Sequence, residues 1–449
     1  MHEWQKTLEW ISKTSSSKTV RNYVASKKRY SSRDEAEKEY SRLREMETLH
    51  EADTYAPSFD LDPLFDVLEK IDGGEGVDPR ELRSIGNFLT QFRKSRELLV
   101  MDQGTPVLEE LVSSVDPDIG LEMRIKQTIN DRGKINSEAS EELGRIRYRL
   151  RRTHENIDAK IRDMLKNPTV AGMLQEDYFT VRDDRYVLPF KSSFKRTIKG
   201  VIHHYSRTGQ TAFLEPLPLL ELNNSLSLQK SKEDEEIQKI LKHLLAVIKS
   251  KRGFIKNCAE IAIHLMGLDV ICRWRKKHRC SVPEFVDDTI DVKKAWYPMV
   301  YLSEREKLVK NDFLFRTGEK VMVISGPNAG GKTVALKTLR TVVELSVRGI
   351  PVTADKAVMP FFRDVFTILG DRQDAERGES SFSAHLRDMS EVLNVAEKET
   401  LILVDEIGTG TDPLQGGAIA RAFLEYVKDR SIFTLVTSHL AEVKSIALE

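Results

Sequence analysis

The chain has 449 residues, 40% of them hydrophobic and 31% charged, and its 70 Lys and Arg balance its 70 Asp and Glu. This balance excludes a globally basic nucleic-acid binder, so any contact with DNA or RNA must come from a local patch or from enclosure. The three cysteines form no C-x-x-C pair, and there is neither a signal peptide nor an apolar run near about 18 residues. We therefore expect a cytoplasmic protein without disulfides, structural zinc or membrane spans.

Residues 1–136 are predicted to be helical. Apolar residues recur at helical spacing in residues 35–49 and 81–98, and turn signals occur at residues 72–76 and 116–117. No pattern here indicates chemistry. We predict an N-terminal helical core domain over residues 1–136.

Two later helical segments have heptad spacing. The positions of the first are Ala139, Leu143, Ile146, Leu150, Thr153, Ile157, Lys160 and Met164. Those of the second are Ile237, Leu241, Leu244, Ile248, Lys251, Ile255, Cys258, Ala262 and Leu265. A mainly apolar seam of this kind needs a partner helix, and Gly253 is a point where the second helix can bend. We predict a helical lever arm over residues 137–290.

Two hairpins are predicted between these helices. Residues 178–182 and 185–190 flank Asp183-Asp184, and residues 199–206 and 211–214 flank a polar turn at 207–210. The simplest arrangement is an antiparallel helical arm that carries a small β module at residues 177–216. The alternative is an ordinary helical domain with a decorated loop.

The linker between the hairpins is basic. Four of its nine residues from 191 to 199 are Lys191, Lys195, Arg196 and Lys199. They are candidates for contact with nucleic-acid phosphates. A solvated loop is the alternative, and on sequence alone it is the commoner case.

An α/β sheet is predicted in residues 291–449. Continuous apolar runs at 321–325, 365–369, 401–404 and 432–437 alternate with helical stretches that begin near residues 332, 384 and 414. Strands of this composition are typical of a sheet covered on both faces.

The stretch 326–333 satisfies the P-loop pattern G-x-x-x-x-G-K-[ST], follows an apolar strand and opens a helix. Its residues, all candidates for nucleotide binding, are Gly326, Pro327, Asn328, Ala329, Gly330, Gly331, Lys332 and Thr333. Lys332 is expected to reach the β- and γ-phosphates of a nucleotide, and Thr333 to supply a hydroxyl to Mg²⁺. The loop predicts an ATP site that uses Mg²⁺.

Three later residues are candidates for the same site. Asp405 ends an apolar strand and is expected to hold Mg²⁺, while the adjacent Glu406 is placed to act as general base toward water. His439 follows the next strand and is a candidate sensor of the γ-phosphate. The alternatives are a surface turn for the carboxylates and a structural role for the histidine.

Serines at 380, 381 and 383 precede a helix whose N-terminus could bind an anion. A plain helix cap is the alternative.

The strings GPNAGGKT, SSFSAHLRDMSEVL, LILVDEIGTGTDPLQGG and TSH, in this order and spacing, resemble the ATPase of the MutS family, within the ABC class. RDDRYVLPFK and GQTAFLEPLPLLELNN are similar to the clamp and lever of the second bacterial MutS branch, which lacks the mismatch-reading domain. The resemblance implies an α+β multidomain protein. Its parts are a mostly helical core and lever arm, a small β-rich clamp insertion and an ABC-class P-loop ATPase domain.

The resemblance also implies a homodimer in which Ser381 acts in trans, facing the γ-phosphate held by Lys332 of the other subunit. Asn311 is similar to the family's residue near the adenine. The implied function is an ATP-dependent clamp on double-stranded or branched DNA that suppresses recombination. The variants left open are a ribosome-associated ATPase that splits stalled ribosomes and a nucleotide-binding remnant without hydrolysis.

Two further expectations complete the sequence-based hypothesis. Because the sequence ends at Glu449, before the family's dimerisation segment and nuclease domain, we expect no nuclease activity in this chain. A chromosome-maintenance ATPase is disfavoured, since in that class the coiled coil lies between the P-loop and the signature.

Overall fold

The structure is a computed structural model and describes residues 4–102, 104–327, 331–369 and 381–446. The chain packs as two compact units. Unit 1 comprises Met1–Asp62, Phe92–Asp116 and Asn257–Glu449, and unit 2 comprises Pro63–Gln91 and Pro117–Lys256. The fold is α+β and mostly helical, with three small sheets among the described residues.

The helices are, in chain order, α1 (Gln5–Ser12), α2 (Lys18–Ala25), α3 (Arg33–Glu51), α4 (Leu61–Gly73), α5 (Pro79–Met101), α6 (Pro106–Ser113), α7 (Ile119–Thr128), α8 (Glu141–Lys166), α9 (Pro168–Met173), α10 (Leu217–Ser250), α11 (Arg252–His278), α12 (Pro298–Ser303), α13 (Lys332–Ser346), α14 (Ser381–Val395), α15 (Pro413–Asp429) and α16 (Ala441–Ile446). The strands are β1 (Thr180–Arg182), β2 (Arg185–Lys191), β3 (Gly200–Tyr205), β4 (Thr211–Pro216), β5 (Glu284–Phe285), β6 (Ile290–Ala295), β7 (Asn311–Phe315), β8 (Val321–Ser325), β9 (Lys356–Met359), β10 (Asp364–Ile368), β11 (Thr400–Val404) and β12 (Phe433–Ser438).

Unit 1 contains the predicted parallel sheet, with strand order β10-β11-β12-β8. Every residue of β11 and β12 is buried, as expected for central strands with both faces covered. Ile402, Val404 and Val436 pack with Phe423 and Leu424 of α15 in the core beneath the sheet. The predicted alternation of strands and helices is confirmed, and each strand lies within one or two residues of its predicted position.

A second sheet of unit 1 was not predicted. Its strand order is β5-β9-β6-β7, with both parallel and antiparallel pairs. β5 has only two residues, and the pairing of β6 with β7 shifts register between Val292 and Ala295, where Lys294 has φ 51°. Strands this short and irregular leave no clear alternation in the sequence.

In unit 2, α8 packs against α10. The buried residues of α8 are Leu143, Ile146, Leu150, Thr153, Ile157 and Ile161. The predicted seam is therefore confirmed from Leu143 to Ile157. Its first position, Ala139, lies before α8 and is only half-buried, and the seam is wrong at Lys160, which is exposed. An α-helix has 3.6 residues per turn rather than 3.5, so the buried stripe of α8 moves to Ile161. The bend expected near Gly253 is an interruption at Lys251, between α10 and α11.

Both predicted hairpins of unit 2 are confirmed and form one antiparallel sheet of order β1-β2-β4-β3. Asp183 and Asp184 have φ of 48° and 61°, the left-handed pair that a two-residue type I′ turn needs. Leu188, Phe190 and Leu214 of the sheet are buried with Leu219 and Leu226 of α10.

The two units do not follow the three predicted domains one to one. Residues 1–62 and 257–290 belong to the same unit as residues 291–449. The division at residues 136 and 290 stays a prediction. Across the described part of the chain, no helix combines the length and hydropathy needed to cross a membrane.

Candidate nucleotide site

The P-loop connects β8 to α13 at one edge of the parallel sheet. Gly331 caps α13 with φ 78°, a conformation that a residue with a side chain adopts only with strain. The side chain of Lys332 is buried, and its Nζ donates to the carbonyl of Gly326 at 2.5 Å, across the loop. Asn328, Ala329 and Gly330 lie outside the described residues, while Gly326 and Pro327 lie just after β8.

Asp405 lies directly after β11 and brings two hydroxyls together. Its Oδ2 accepts a hydrogen bond from Thr333 Oγ1 at 2.8 Å, and its Oδ1 accepts one from Thr437 Oγ1 at 2.6 Å. The parallel register of β11, β12 and β8 places these groups together, because the carboxyl ends of the strands meet at one edge. Asp405 is 8% exposed, so the carboxylate is held by hydrogen bonds in a nearly water-free position.

Glu406 follows in an unusual backbone conformation. Its φ is 55°, its N–H donates to Thr437 Oγ1 at 2.8 Å, and its carbonyl accepts from Thr409 Oγ1 at 2.8 Å. Non-glycine residues in the left-handed region cost about 1–3 kcal/mol and concentrate at functional sites. The turn is tightened by Gly408, where an added Cβ would lie 2.7 Å from the carbonyl of Gly416.

His439 lies just after β12 and is exposed, and its imidazole makes no hydrogen bond with the described residues. Ser381 is the first residue of α14; its side chain and Ser380 lie outside the described residues. Asn311 begins β7, and its Nδ2 donates to the carbonyl of Val309 at 3.5 Å. The roles of these three residues toward a nucleotide stay predictions.

Sequence reasoning missed two residues of this site. Thr437 joins Asp405 to Glu406, although the same stretch had suggested only His439. His385 of α14 is 5% exposed, and its Nε2 has no hydrogen-bond partner among the described residues. Burial lowers the pKa of His385, against the opposing charges of Asp388 and Asp405. One signal for His385 was available, since it follows Ser381 by four residues and so lies on the same helix face.

The donor set fits a magnesium nucleotide. Mg²⁺ prefers oxygen ligands and commonly takes one or two from the protein and the rest from phosphates and water. A hydroxyl at Thr333 and a carboxylate at Asp405 are such ligands, and they lie at the start of α13, where the positive end of the helix favours phosphate.

The predicted basic contacts lie in unit 2, in the connection from β2 to β3. Lys195, Arg196 and Lys199 are exposed, whereas Lys191 is half-buried and its Nζ donates to the carbonyl of Gly172 at 3.2 Å. Lys195 Nζ also lies 5.8 Å from the ring centroid of Tyr205. Three of the four side chains are thus available to a large ligand, and their contact with nucleic acid stays a prediction.

Comparison with known proteins places the chain among MutS-type proteins. The family model described as MutS domain V matches residues 322–449. A protein named Endonuclease MutS2 from Fusobacterium nucleatum is 34% identical over 340 residues, which are 75% of this chain and 43% of that protein. The chain belongs to the MutS family.

Two further relatives with the name Endonuclease MutS2 are similar to most of this chain. Those from Solidesulfovibrio magneticus and Aquifex aeolicus are each 32% identical and cover 87% and 86% of this chain. The chain spans about half the length of these relatives, at 50% and 51%. The domain V match includes the whole P-loop together with Asp405, Glu406 and Thr437.

Proposed function

We propose that this MutS-family chain is an ATPase that binds ATP with Mg²⁺ at the P-loop of unit 1. The observation that carries the proposal is the pair of hydrogen bonds that Thr333 and Thr437 donate to the buried Asp405. These three residues come from three separate segments of the chain and lie together beside the P-loop. Nothing in the packing of the described residues requires them to meet there.

Each residue has a defined role in this proposal. Lys332 contacts the β- and γ-phosphates in place of the Gly326 carbonyl, and Thr333 and Asp405 hold Mg²⁺. The two oxygens of that pair lie 2.8 Å apart, as in a hydrogen bond, so the hydroxyl proton must turn away when the oxygens bind the ion. A Mg²⁺ ion held there would neutralise charge on the phosphates. Glu406 would accept a proton from the attacking water, and His439 would contact the γ-phosphate.

Steady-state hydrolysis tests the catalytic part of the proposal. The wild-type chain is expected to release phosphate from MgATP, and Glu406→Gln is expected to bind ATP but to hydrolyse it at least about 100-fold more slowly. Hydrolysis by the wild-type chain no faster than by Glu406→Gln would instead favour a nucleotide-binding protein without turnover.

We infer that the site is completed in a homodimer, with Ser381 of one subunit facing the γ-phosphate bound to the other. The support is the position of Ser381 at the first residue of α14, because a helix N-terminus favours an anion. Mixing Lys332→Ala with Ser381→Ala subunits is expected to restore part of the hydrolysis that each variant lacks alone, because one of the two sites is then intact. No recovery in the mixture would contradict action in trans.

For the substrate, we propose double-stranded or branched DNA, held by the β sheet of unit 2. The support is the exposure of Lys195, Arg196 and Lys199 in a chain whose net charge is zero. A labelled four-way junction should bind the chain, with an affinity that changes when ATP is added. Affinity that does not respond to nucleotide would count against an ATP-dependent DNA clamp, and cosedimentation with stalled ribosomes in its place would favour the ribosome.

A further inference from the structure

Helix α8 of unit 2 carries an unusual run of charge. Residues 145–154 read RIRYRLRRTH, with five arginines, one histidine and no acidic residue. Helix α10 offers a contrast, since its residues 230–236 read KSKEDEE and include charges of both signs. A mixed pattern like that of α10 is the usual solvated helix face, and the run on α8 departs from it.

Two of the five arginines have structural partners. Arg147 donates from Nε to Glu233 of α10 at 2.7 Å and from Nη1 to the carbonyl of Ile135 at 2.8 Å. Arg145 pairs with Glu141 on its own helix. These contacts explain Arg147 as part of the α8–α10 packing and leave Arg145 as an exposed surface pair.

The other three arginines have no such explanation. Arg149, Arg151 and Arg152 are exposed, and none has an ion pair or side-chain hydrogen bond with any residue in the described ranges. Like charges three or four residues apart on a helix destabilise it by about 0.2–0.5 kcal/mol per pair. The fold therefore gains nothing from placing Arg145, Arg149 and Arg152 at these spacings.

These residues share one face with an exposed aromatic ring. Leu143, Ile146 and Leu150 face the core of unit 2, and the helical period places Arg145, Tyr148, Arg149 and Arg152 on the opposite side. Tyr148 is 56% exposed, so a large aromatic side chain stands in water among guanidinium groups. We call these four residues the arginine stripe.

We propose that the arginine stripe binds the phosphodiester backbone of double-stranded DNA. Guanidinium groups match phosphate in charge and in bidentate geometry, and a tyrosine among them can donate a hydrogen bond to a phosphate or sugar oxygen. Arg145 and Arg152 are separated by about 10.5 Å along the helix axis, which corresponds to about three phosphates of one strand. The surface is separate from the basic connection between β2 and β3, although the inference rests on the proposed function in that both require the chain to bind DNA.

Salt-dependent binding by the full chain tests this surface. The probes are a fluorescein-labelled DNA duplex of about 30 base pairs and an RNA duplex of the same sequence, measured by fluorescence anisotropy over about 50–200 mM salt. Arg149→Gln/Arg152→Gln removes two charges from the stripe. Lys232→Gln/Lys242→Gln is the matched control, since both lysines are exposed on α10.

The stripe variant is expected to bind the DNA duplex about tenfold or more weakly at low salt, and to lower the slope of log K against log salt by about two. The control should change affinity less than about twofold. Arg149→Lys/Arg152→Lys keeps both charges and is expected to keep the slope. Because the substituted side chains are exposed, helix content measured by circular dichroism should be unchanged. If the glutamine variant has less helix than the wild type, Tyr148→Ser is tested in its place, and it is expected to bind the DNA duplex about tenfold more weakly.

Three results would overturn the proposal. If the wild type binds DNA and the stripe variant binds it as tightly as the α10 control does, the arginine stripe is not a DNA-binding surface. The proposed function of the chain is not affected by that result. A wild-type chain that binds neither duplex at any salt excludes both. A loss confined to the RNA duplex assigns the stripe to RNA and contradicts the DNA proposal.

Discussion

The polar groups around Asp405 and the basic groups of unit 2 are built in opposite ways. Asp405 is 8% exposed, and both of its oxygens accept hydrogen bonds from hydroxyls on other segments. Lys195, Arg196 and Arg149 are exposed on a loop and on a helix face. Removing one side chain from a buried group of the first kind has a large effect, because its hydrogen-bonding partner is left unsatisfied away from water. Exposed groups of the second kind act as a sum of charges.

This difference suggests where single substitutions are informative. Among the buried polar groups of unit 1, a single substitution should change the free energy of unfolding or the rate of ATP hydrolysis. On the exposed surfaces of unit 2, single substitutions should have small effects and combined ones larger effects.

Glu39 provides the most demanding test in unit 1. Its carboxylate is fully buried and accepts from Lys27 Nζ at 2.8 Å and from His264 Nε2 at 2.9 Å. We expect Glu39→Ala to lower the free energy of unfolding by about 3–5 kcal/mol, because Lys27 remains as a buried unpaired charge. Thermal or urea melts measure this. The control Glu37→Ala, on the same helix and paired with Arg33 at the surface, should leave the melting temperature nearly unchanged.

The same pair sets a pH dependence. Burial alone would raise the pKa of Glu39, but Lys27 and His264 outweigh it and hold this pKa well below its usual range. The stabilisation is therefore present above the unfolded-state pKa and is lost as pH falls through the folded-state value. Wild type and Glu39→Ala should converge in stability in acid, and a constant difference down to low pH would contradict the assignment.

Glu215 is a buried carboxylate of unit 2, in contrast to the exposed basic groups of that unit. It is 1% exposed, and Arg185, His203 and Asn223 all bond to its carboxylate, where β4 meets α10. We expect Glu215→Ala to destabilise unit 2 by about 2 kcal/mol, less than Glu39→Ala, since Arg185 can turn toward water. Hydrogen exchange of the β2 and β4 amides measures this loss. Exchange no faster than in Glu221→Ala, an exposed change on α10, would contradict a structural role.

Thr437→Val tests whether the hydroxyl between Asp405 and Glu406 matters for chemistry. The substitution keeps the side-chain shape and removes one donor to the carboxylate and one acceptor for the Glu406 N–H. We expect ATP hydrolysis to fall about tenfold, equivalent to about 1.4 kcal/mol. The control is Thr434→Val in the same strand. Within the described ranges, the hydroxyl of Thr434 bonds only the carbonyl of Ile432. Equal rates for the two variants would show that Thr437 is not needed.

A single change in the β2–β3 connection should have the smallest effect. Lys195→Gln is expected to weaken binding of a DNA duplex by only about two- to threefold and to lower the salt slope by about one. Fluorescence anisotropy measures both quantities. A hundredfold loss of DNA affinity from this one exposed lysine would indicate a specific contact. Exposed basic groups would then not act as a simple sum of charges.

Much of unit 1 could be predicted from sequence because its determinants are local. The strands around the P-loop are continuous apolar runs, and the loop glycines and Lys332 occur at fixed spacing. Thr437 could not be identified in the same way. Its role depends on β11 and β12 lying side by side, and Asp405 is 32 positions away.

The lever helices show a similar limit. The heptad pattern gave the buried face of α8 through Ile157, and the helical period then moved the seam to Ile161. The sheet of β5, β6, β7 and β9 was missed because it is assembled from short strands distant in sequence. The unpaired arginines of α8 were equally visible in the sequence, but only the structure separates Arg147, bonded to α10, from Arg149 and Arg152.

Calorimetric titration of MgATP into the full chain measures directly whether the P-loop of unit 1 binds the nucleotide. The proposed site predicts saturable binding by the wild type and by Lys307→Ala, a surface control in unit 1. Lys332→Ala should weaken that binding by at least about 100-fold, or about 2.7 kcal/mol. Binding of MgATP by Lys332→Ala with the affinity of the wild type would show that the P-loop is not the nucleotide site.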